Sequence, residues 1–470
     1  MSSVPPAIAS AYDPERFRAE GHRLIDAIAA ALVSWHAREG VVLPWRPPAD
    51  ALAEWPLARG ELVADLQRIL ASSTALAHPR YMGHQVPPPL PGAALAELVS
   101  AILNNGMAVF EMGPAAAPIE LAVVDWMART LGYGDRAGGV LTSGGSLGNL
   151  TALLAMRQAK AGFDVWRDGL HAGPPLAVIT SADAHYSVVR TLRIMGLGEG
   201  GVIVAPIDAQ HRLRASAVEA ALASAGDRRV IGIVAAAGST ATGAFDPLDE
   251  LADVAARHGL WLHVDAAHGG AVALSAAHRD KLAGIGRADS IVWDAHKLMM
   301  MPALVTAVLF KQGGHVYDAF AQQASYLFAA AAPDDTWWDL GQRTLECTKR
   351  MMAIEVWTAL RVHGEDFFGA VVDRLVALAG ELASRVRASG DFELAIEPAL
   401  NIVCYRHRAP GDLDAHNRAL RRRVVEDGRF YIVGTQLPAG YFLRSTIMNP
   451  LTEPSDFDDL LEHLRALCRG

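Results

Sequence analysis

Cysteine is scarce in this chain, with only three among 470 residues. Cys347, Cys404 and Cys468 are odd in number and widely separated, which argues against a disulfide framework and predicts reduced thiols. Long apolar runs are lacking as well. The largely apolar stretch Leu298 to Phe310 falls short of the roughly 20 residues needed to span a bilayer. The first residues do not combine a basic region with an apolar one, so a cytoplasmic protein without a membrane partner is expected. There is no basic stripe: the formal charge is −9 with Lys and Arg interleaved, and nucleic acid is not an expected partner. Metal spacing is missing too. Seventeen histidines are present, but His78 with His84 and His263 with His268 have neither zinc-helix nor zinc-knuckle spacing, so no metal is expected.

What is present is enough apolar residue, 51%, to build sizeable cores, in two or three domains by the prior of about 150 residues each. Residues 1–77 show helical periodicity around Phe17 to Glu39 and Pro56 to Leu76, joined by a proline-rich connection; they read as a helical arm. Residues 78–344 alternate helices with short apolar runs: Leu176 to Thr180, Val202 to Ala205, Val230 to Ala236, Leu260 to Val264 and Ser290 to Trp293. That rhythm predicts an α/β fold with a mostly parallel, doubly wound sheet. Pro118 opening Ile119 to Leu131, and Pro247 opening Leu248 to His258 before Gly259, punctuate two helices. Residues 345–470 read as a smaller α/β domain, with strands at Asn401 to Tyr405, Phe430 to Val433 and Tyr441 to Arg444 after a helix from Met351 to His363. No internal repeat is visible.

Two strand ends carry the chemistry. Ser290-Ile291-Val292-Trp293 runs into Asp294-Ala295-His296-Lys297, and the preceding strand ends in His263-Val264-Asp265-Ala266-Ala267. A lysine at the end of a buried strand loses its proton more easily than one in water, and a neutral amine attacks an aldehyde such as that of pyridoxal phosphate. A carboxylate such as Asp265 would keep the cofactor's ring nitrogen protonated, so that the ring accepts electrons from a bond broken at the substrate. Taken singly, Asp265 also reads as a helix cap or arginine partner, and Lys297 as a snorkelling side chain. Both follow apolar strands, so both can project from one edge of a parallel sheet, where such folds bind ligands.

Thr142-Ser143-Gly144-Gly145-Ser146-Leu147-Gly148-Asn149 leads into a helical stretch. Its small residues let backbone amides approach an anion at a helix N-terminus, although alone it is also an ordinary strand-to-helix turn. It is neither a Walker loop nor a dinucleotide fingerprint. With Ser181-Ala182-Asp183-Ala184-His185-Tyr186-Ser187, Gly238-Ser239-Thr240-Ala241-Thr242-Gly243-Ala244-Phe245-Asp246 and Leu443-Arg444-Ser445, the chain from about His78 to Pro450 resembles the group II pyridoxal-phosphate-dependent amino acid decarboxylases. That family includes the aromatic amino acid, glutamate and diaminobutyrate enzymes.

The resemblance implies a fold type I, aspartate aminotransferase-like large domain and a homodimer with its active site at the subunit interface. It further implies that Lys297 holds pyridoxal 5'-phosphate, His185 stacks on its ring and Asp265 meets the ring nitrogen. Gly144, Gly145 and Ser146, bordered by Asp294 and His296, would hold the phosphate. Thr240 and Ala267 would line the ring, Asp246 would help orient the site, and Arg444 would grip the substrate's carboxylate. Many relatives carry asparagine at the position of Asp294, and a loop tyrosine that donates a proton. Here Ala329 to Leu345 contains no tyrosine; Tyr326 lies upstream as a candidate catalytic residue, beside histidine or water. His84 and Gln85 are polar where aromatic-specific relatives carry aromatics, and Thr344 to Arg350 is closer to the diaminobutyrate branch. The expectation is therefore a decarboxylase acting on a polar L-amino acid, diaminobutyrate-like ahead of aromatic. Its rivals are an oxygen-dependent enzyme giving an aldehyde, an aminotransferase, and a cofactor-binding module without turnover.

Overall fold

The computed structural model describes residues 4–320 and 337–469. Tyr326 and the first part of the stretch from Ala329 lie outside the described residues. Among the described residues the strands are β1 (Tyr81–Met82), β2 (Gly138–Thr142), β3 (Leu176–Ser181), β4 (Val202–Ala205), β5 (Arg229–Ala236), β6 (Trp261–Asp265), β7 (Ser290–Asp294), β8 (Thr306–Phe310), β9 (Phe392–Leu394), β10 (Ile402–His407), β11 (Tyr431–Leu437) and β12 (Gly440–Thr446). They belong to two compact units. One lies within Gln85–Ala383 and Ile396–Cys404, the other within Met1–His84, Ser384–Ala395 and Tyr405–Gly470.

In the first unit seven strands form one sheet in the order β2-β8-β7-β6-β5-β3-β4. β4, β3, β5, β6 and β7 pair in parallel, whereas β8 is antiparallel to both its neighbours, β7 and β2. The five expected strands appear within a residue or two of their expected bounds. β8 was hidden inside the apolar run Leu298 to Phe310, whose last five residues form it. Every residue of β7 and β8 is buried, as a sheet covered on both faces requires.

The helix Gly145–Lys160 crosses this sheet with nine buried residues. A Cβ at Gly148 would come within 3.1 Å of Thr306 and 3.2 Å of Val292, so glycine there lets the helix press on β7 and β8. The helix Leu248–His258 keeps its expected ends, with Pro247 at the N-cap and Gly259 at φ 65° beyond the last turn. The helix expected to begin at Ile119 instead begins at Ala116. Pro118 lies in its first turn, where a missing N–H breaks no helical bond.

In the second unit the sheet order is β1-β11-β12-β10-β9. The N-terminal segment is joined to the C-terminal one here: β1 pairs in parallel with β11, Val42 N donates to Gly428 O at 2.9 Å, and Arg38 holds both carboxylate oxygens of Asp456 at 2.8 Å. The helix Pro14–His36 has no buried residue, although it carries Phe17, Ile25, Ile28 and Val33, all exposed. No helix among the described residues is long and apolar enough to cross a membrane.

Candidate active site

Parallel strands ending side by side make a crevice at their carboxyl ends, and the predicted residues meet there. One cavity is lined by Gly145, Ser146, His185, Thr240, Asp265, Ala267, Asp294, His296 and Lys297. Gly144 precedes it as the N-cap of Gly145–Lys160, at φ 108°, a backbone conformation that favours glycine. No side chain of its own caps that helix and no acidic residue stands in its first turn, so its leading N–H groups are donors at the cavity.

Lys297 Nζ lies 3.0 Å from Asp294 Oδ2. Thr306 Oγ1 donates to the other Asp294 oxygen at 2.5 Å, and His296 Nε2 is 3.6 Å from Oδ2. Asp294 is thus a buried carboxylate with the amine as its charged partner. A Cβ at Gly145 would lie 3.2 Å from both Asp294 oxygens, which places that carboxylate against the start of the helix.

Asp265 is the end of a longer chain of hydrogen bonds. Trp261 Nε1 donates to Ser290 Oγ at 2.8 Å, which is 2.8 Å from His263 Nδ1; His263 Nε2 is 2.9 Å from Asn149 Oδ1. Asn149 Nδ2 donates to Asp265 Oδ2 and to Ser187 Oγ, each at 3.0 Å. Ser187 Oγ lies 2.7 Å from His185 Nδ1. Burial holds the His263 imidazole well below its ordinary pKa, against the opposing pull of Asp265, so the ring is neutral. The assignments then follow one another. Asn149 must offer its oxygen to His263, so His263 donates from Nε2 and accepts the Ser290 hydroxyl hydrogen at Nδ1. The second Asp265 oxygen accepts from Ala267 N at 3.1 Å. Burial, more than the charge of Lys297, also lowers the pKa of His185.

Asn149, Ser187 and Ser290 were not singled out from the sequence. Asn149 closes the glycine-rich segment and offered a signal; the serines offered none, because their importance comes from tertiary contacts. Asp246 does not line this cavity; it accepts from Leu213 N and from Ala236 N at the end of β5, both at 2.7 Å. Burial raises its pKa to about 7 despite those donors. Lys349, in the segment read as a branch signature, is buried against Glu120 and donates to Leu141 O at 2.6 Å. That makes it a tie to the end of β2.

Arg444 belongs to the other compact unit, on β12, and is buried. In that unit Tyr81 stacks on Tyr431 at 5.5 Å between ring centroids, and His84 lies 5.9 Å from the same ring. Burial, then the positive charges of Arg444 and Arg421, lower the pKa of His84.

A fold of this kind, with a carboxylate ending one strand, a lysine following the adjacent one and a helix start lining the same cavity, is that of a pyridoxal enzyme. The chain belongs to the family of the pyridoxal-dependent decarboxylase conserved domain, whose model matches residues 48–408. It is an amino acid decarboxylase, a carboxy-lyase whose cofactor is pyridoxal 5'-phosphate. Mouse cysteine sulfinic acid decarboxylase is 31% identical over 428 residues, covering 87% of this chain and 86% of the relative. L-2,4-Diaminobutyrate decarboxylase of Acinetobacter baumannii is 30% identical over 419 residues, covering 85% and 82%. The crystal structure of apo mouse CSAD matches with a TM-score of 0.89 at 28% identity, over 97% of this chain and 99% of that one. The fold type I architecture is shared with this solved structure.

The residues present fit the cofactor. An amine reaches the cavity, a carboxylate with both oxygens bound stands at the next strand end, and a helix start without its own cap or acid offers donors for a phosphate.

Proposed function

We propose that this enzyme decarboxylates a small L-amino acid with an acidic side chain, giving the corresponding amine. Support for an acidic substrate comes from the names of the relatives, cysteine sulfinic acid and acidic amino acid decarboxylases among them, and from polar His84 and Gln85 where aromatic-specific relatives carry aromatics. The names of the relatives support both sides of the choice: cysteine sulfinic acid and acidic amino acid decarboxylases on one, diaminobutyrate decarboxylase on the other.

In this reading Lys297 holds the cofactor through its amine. Gly144, Gly145 and Ser146 bind the phosphate, with Asp294 and His296 at its border. Thr240 and Ala267 line the ring, and Asp265 pairs with the ring nitrogen. When bound, the cofactor supplies an electron sink for the bond broken at the substrate's alpha carbon. His185, neutral through burial, offers a flat face without a competing charge. Arg444 clamps the alpha-carboxylate through paired N–H donors, which holds the breaking bond in one orientation. Tyr326 is the candidate proton donor. The exposed apolar residues of Pro14–His36, together with Leu95, Leu98, Val99 and Ile102 of Pro91–Leu103, support a homodimer with the site at its interface. The division into an arm (1–77), a large domain (78–344) and a small one (345–470), and a cytoplasmic location, belong to the same proposal.

The test is product analysis by mass spectrometry with the cofactor-loaded enzyme and a panel of cysteine sulfinate, aspartate, glutamate, 2,4-diaminobutyrate and aromatic amino acids. The expected result is an amine from an acidic substrate, with kcat/KM at least ~10-fold above that for diaminobutyrate. Preference for diaminobutyrate would sink the assignment of substrate. An aldehyde with peroxide, or dependence on a keto acid, would replace simple decarboxylation by the corresponding rival.

A further inference from the structure

Three soft or borderline donors meet in the second compact unit. His407 ends β10, His416 lies in the helix Leu413–Asp427, and Cys468 lies in the C-terminal helix Pro454–Arg469. His407 Nδ1 and His416 Nε2 are 3.0 Å apart, and Cys468 Sγ is 3.7 Å from each. All three distances join the same three atoms. A tetrahedral zinc ion bound at about 2.05 Å to nitrogen and about 2.3 Å to sulfur separates its ligand nitrogens by about 3.3 Å and nitrogen from sulfur by about 3.6 Å. The triangle matches those separations to within a few tenths of an ångström.

Hydrogen bonding among neutral groups satisfies this triangle poorly. A bond from one ring N–H to the other ring nitrogen uses both atoms, which leaves the thiol hydrogen no acceptor on either ring. The surroundings are those of a built site. Asn417, buried beside His416, accepts from His407 N at 2.9 Å and donates to His407 O at 3.0 Å. Phe392 meets the His407 ring edge-on at 5.0 Å. Asp391 Oδ2 lies 4.0 Å from His407 Nε2 and is itself held by Arg465 through both oxygens, at 2.7 and 2.9 Å. At that distance the carboxylate acts on the ring by charge and not by a hydrogen bond.

We propose that His407, His416 and Cys468 bind a zinc ion, with water as the fourth ligand, and that the ion ties the end of β10 to two helices. The proposal does not depend on the substrate or the cofactor. Sequence spacing could not reveal it, because the ligands are separated by 9 and 52 residues along the chain.

The full-length, cofactor-loaded enzyme is equilibrated with zinc, dialysed into metal-free buffer, and examined by metal analysis, zinc X-ray absorption and thermal melting. The expected result is one retained zinc per chain, with one sulfur at about 2.3 Å and nitrogen or oxygen at about 2.0 Å. Cys468→Ser loses the sulfur signal and His416→Ala loses the retained zinc, while Cys347→Ser, which changes an exposed cysteine elsewhere, keeps both. Zinc raises the Tm of the parent and of Cys347→Ser, but not of Cys468→Ser. A parent protein that retains no zinc, zinc without a sulfur neighbour, or a sulfur signal that survives in Cys468→Ser would each overturn the proposal. The parent measurement decides the matter even if a variant folds badly.

Discussion

Two histidine clusters in this molecule are built on opposite principles. Inside the large sheet, His263 sits in a chain where each N–H or O–H finds one acceptor and the chain ends on a carboxylate, from Trp261 through Ser290, His263 and Asn149 to Asp265. In the other unit, His407, His416 and Cys468 turn three donor atoms toward a common centre. The first arrangement is complete without a guest and fixes the direction of one charge. The second is completed by a cation. Burial accompanies the contrast: His263 is fully buried, whereas His407 and His416 are only partly so. Neutral, fully satisfied polar groups are tolerated in a dry core, while an ion site needs a path to solvent.

The comparison can be broken from the active-site side first. Lys297→Ala removes the amine at the centre of the cavity; kcat/KM should fall by at least ~10³-fold with loss of the visible absorbance of bound cofactor. An unchanged spectrum would remove the active-site reading altogether. Asp265→Asn keeps the shape but not the charge, and kcat should drop by about 10²- to 10³-fold; steady-state kinetics on the holoenzyme measures it.

Asn149→Ala cuts the chain while leaving Asp265 in place. A loss of about 10- to 100-fold in kcat with little change in KM is expected, and an effect confined to thermal stability would mean that the chain serves folding alone. The smallest effect concerns pH. Because the folded state holds His263 below its unfolded pKa of about 6.5, the stability it contributes is complete above that pH. It declines as pH falls, by about 1.4 kcal/mol per unit until the folded-state pKa is reached. Melting curves between pH 7.5 and about 5 should show this decline, and His263→Gln should flatten it. Equal declines in both proteins would assign the acid sensitivity elsewhere.

Much of the large unit was legible along the chain. β3 to β7 are short apolar runs between turn residues, recognisable by themselves; β3, β6 and β7 are covered on both faces, whereas the edge strand β4 leaves Val204 exposed. β8 was not, because its five residues continue the apolar stretch after Lys297 and carry no period of their own. Its antiparallel place between β7 and β2 follows from pairing, which no single segment encodes. Pro118 misled by three residues, from Ile119 to Ala116, because proline is accepted throughout a helix's first turn.

The sequence by itself determined the reactive groups. An amine and a carboxylate after apolar strands, and a glycine-rich turn before a helix, are local patterns that dictate where each side chain leaves its own element. Only the tertiary structure decided what those groups meet. It set Thr306 against Asp294 and linked Asn149 to Asp265 across 116 residues of chain. It brought Cys468 to His407 and His416, a meeting that spacing along the chain does not display. Hydrogen bonds and coordination act over about 3 Å in space, and folding, which the local pattern does not display, brings residues that distant in sequence within that reach.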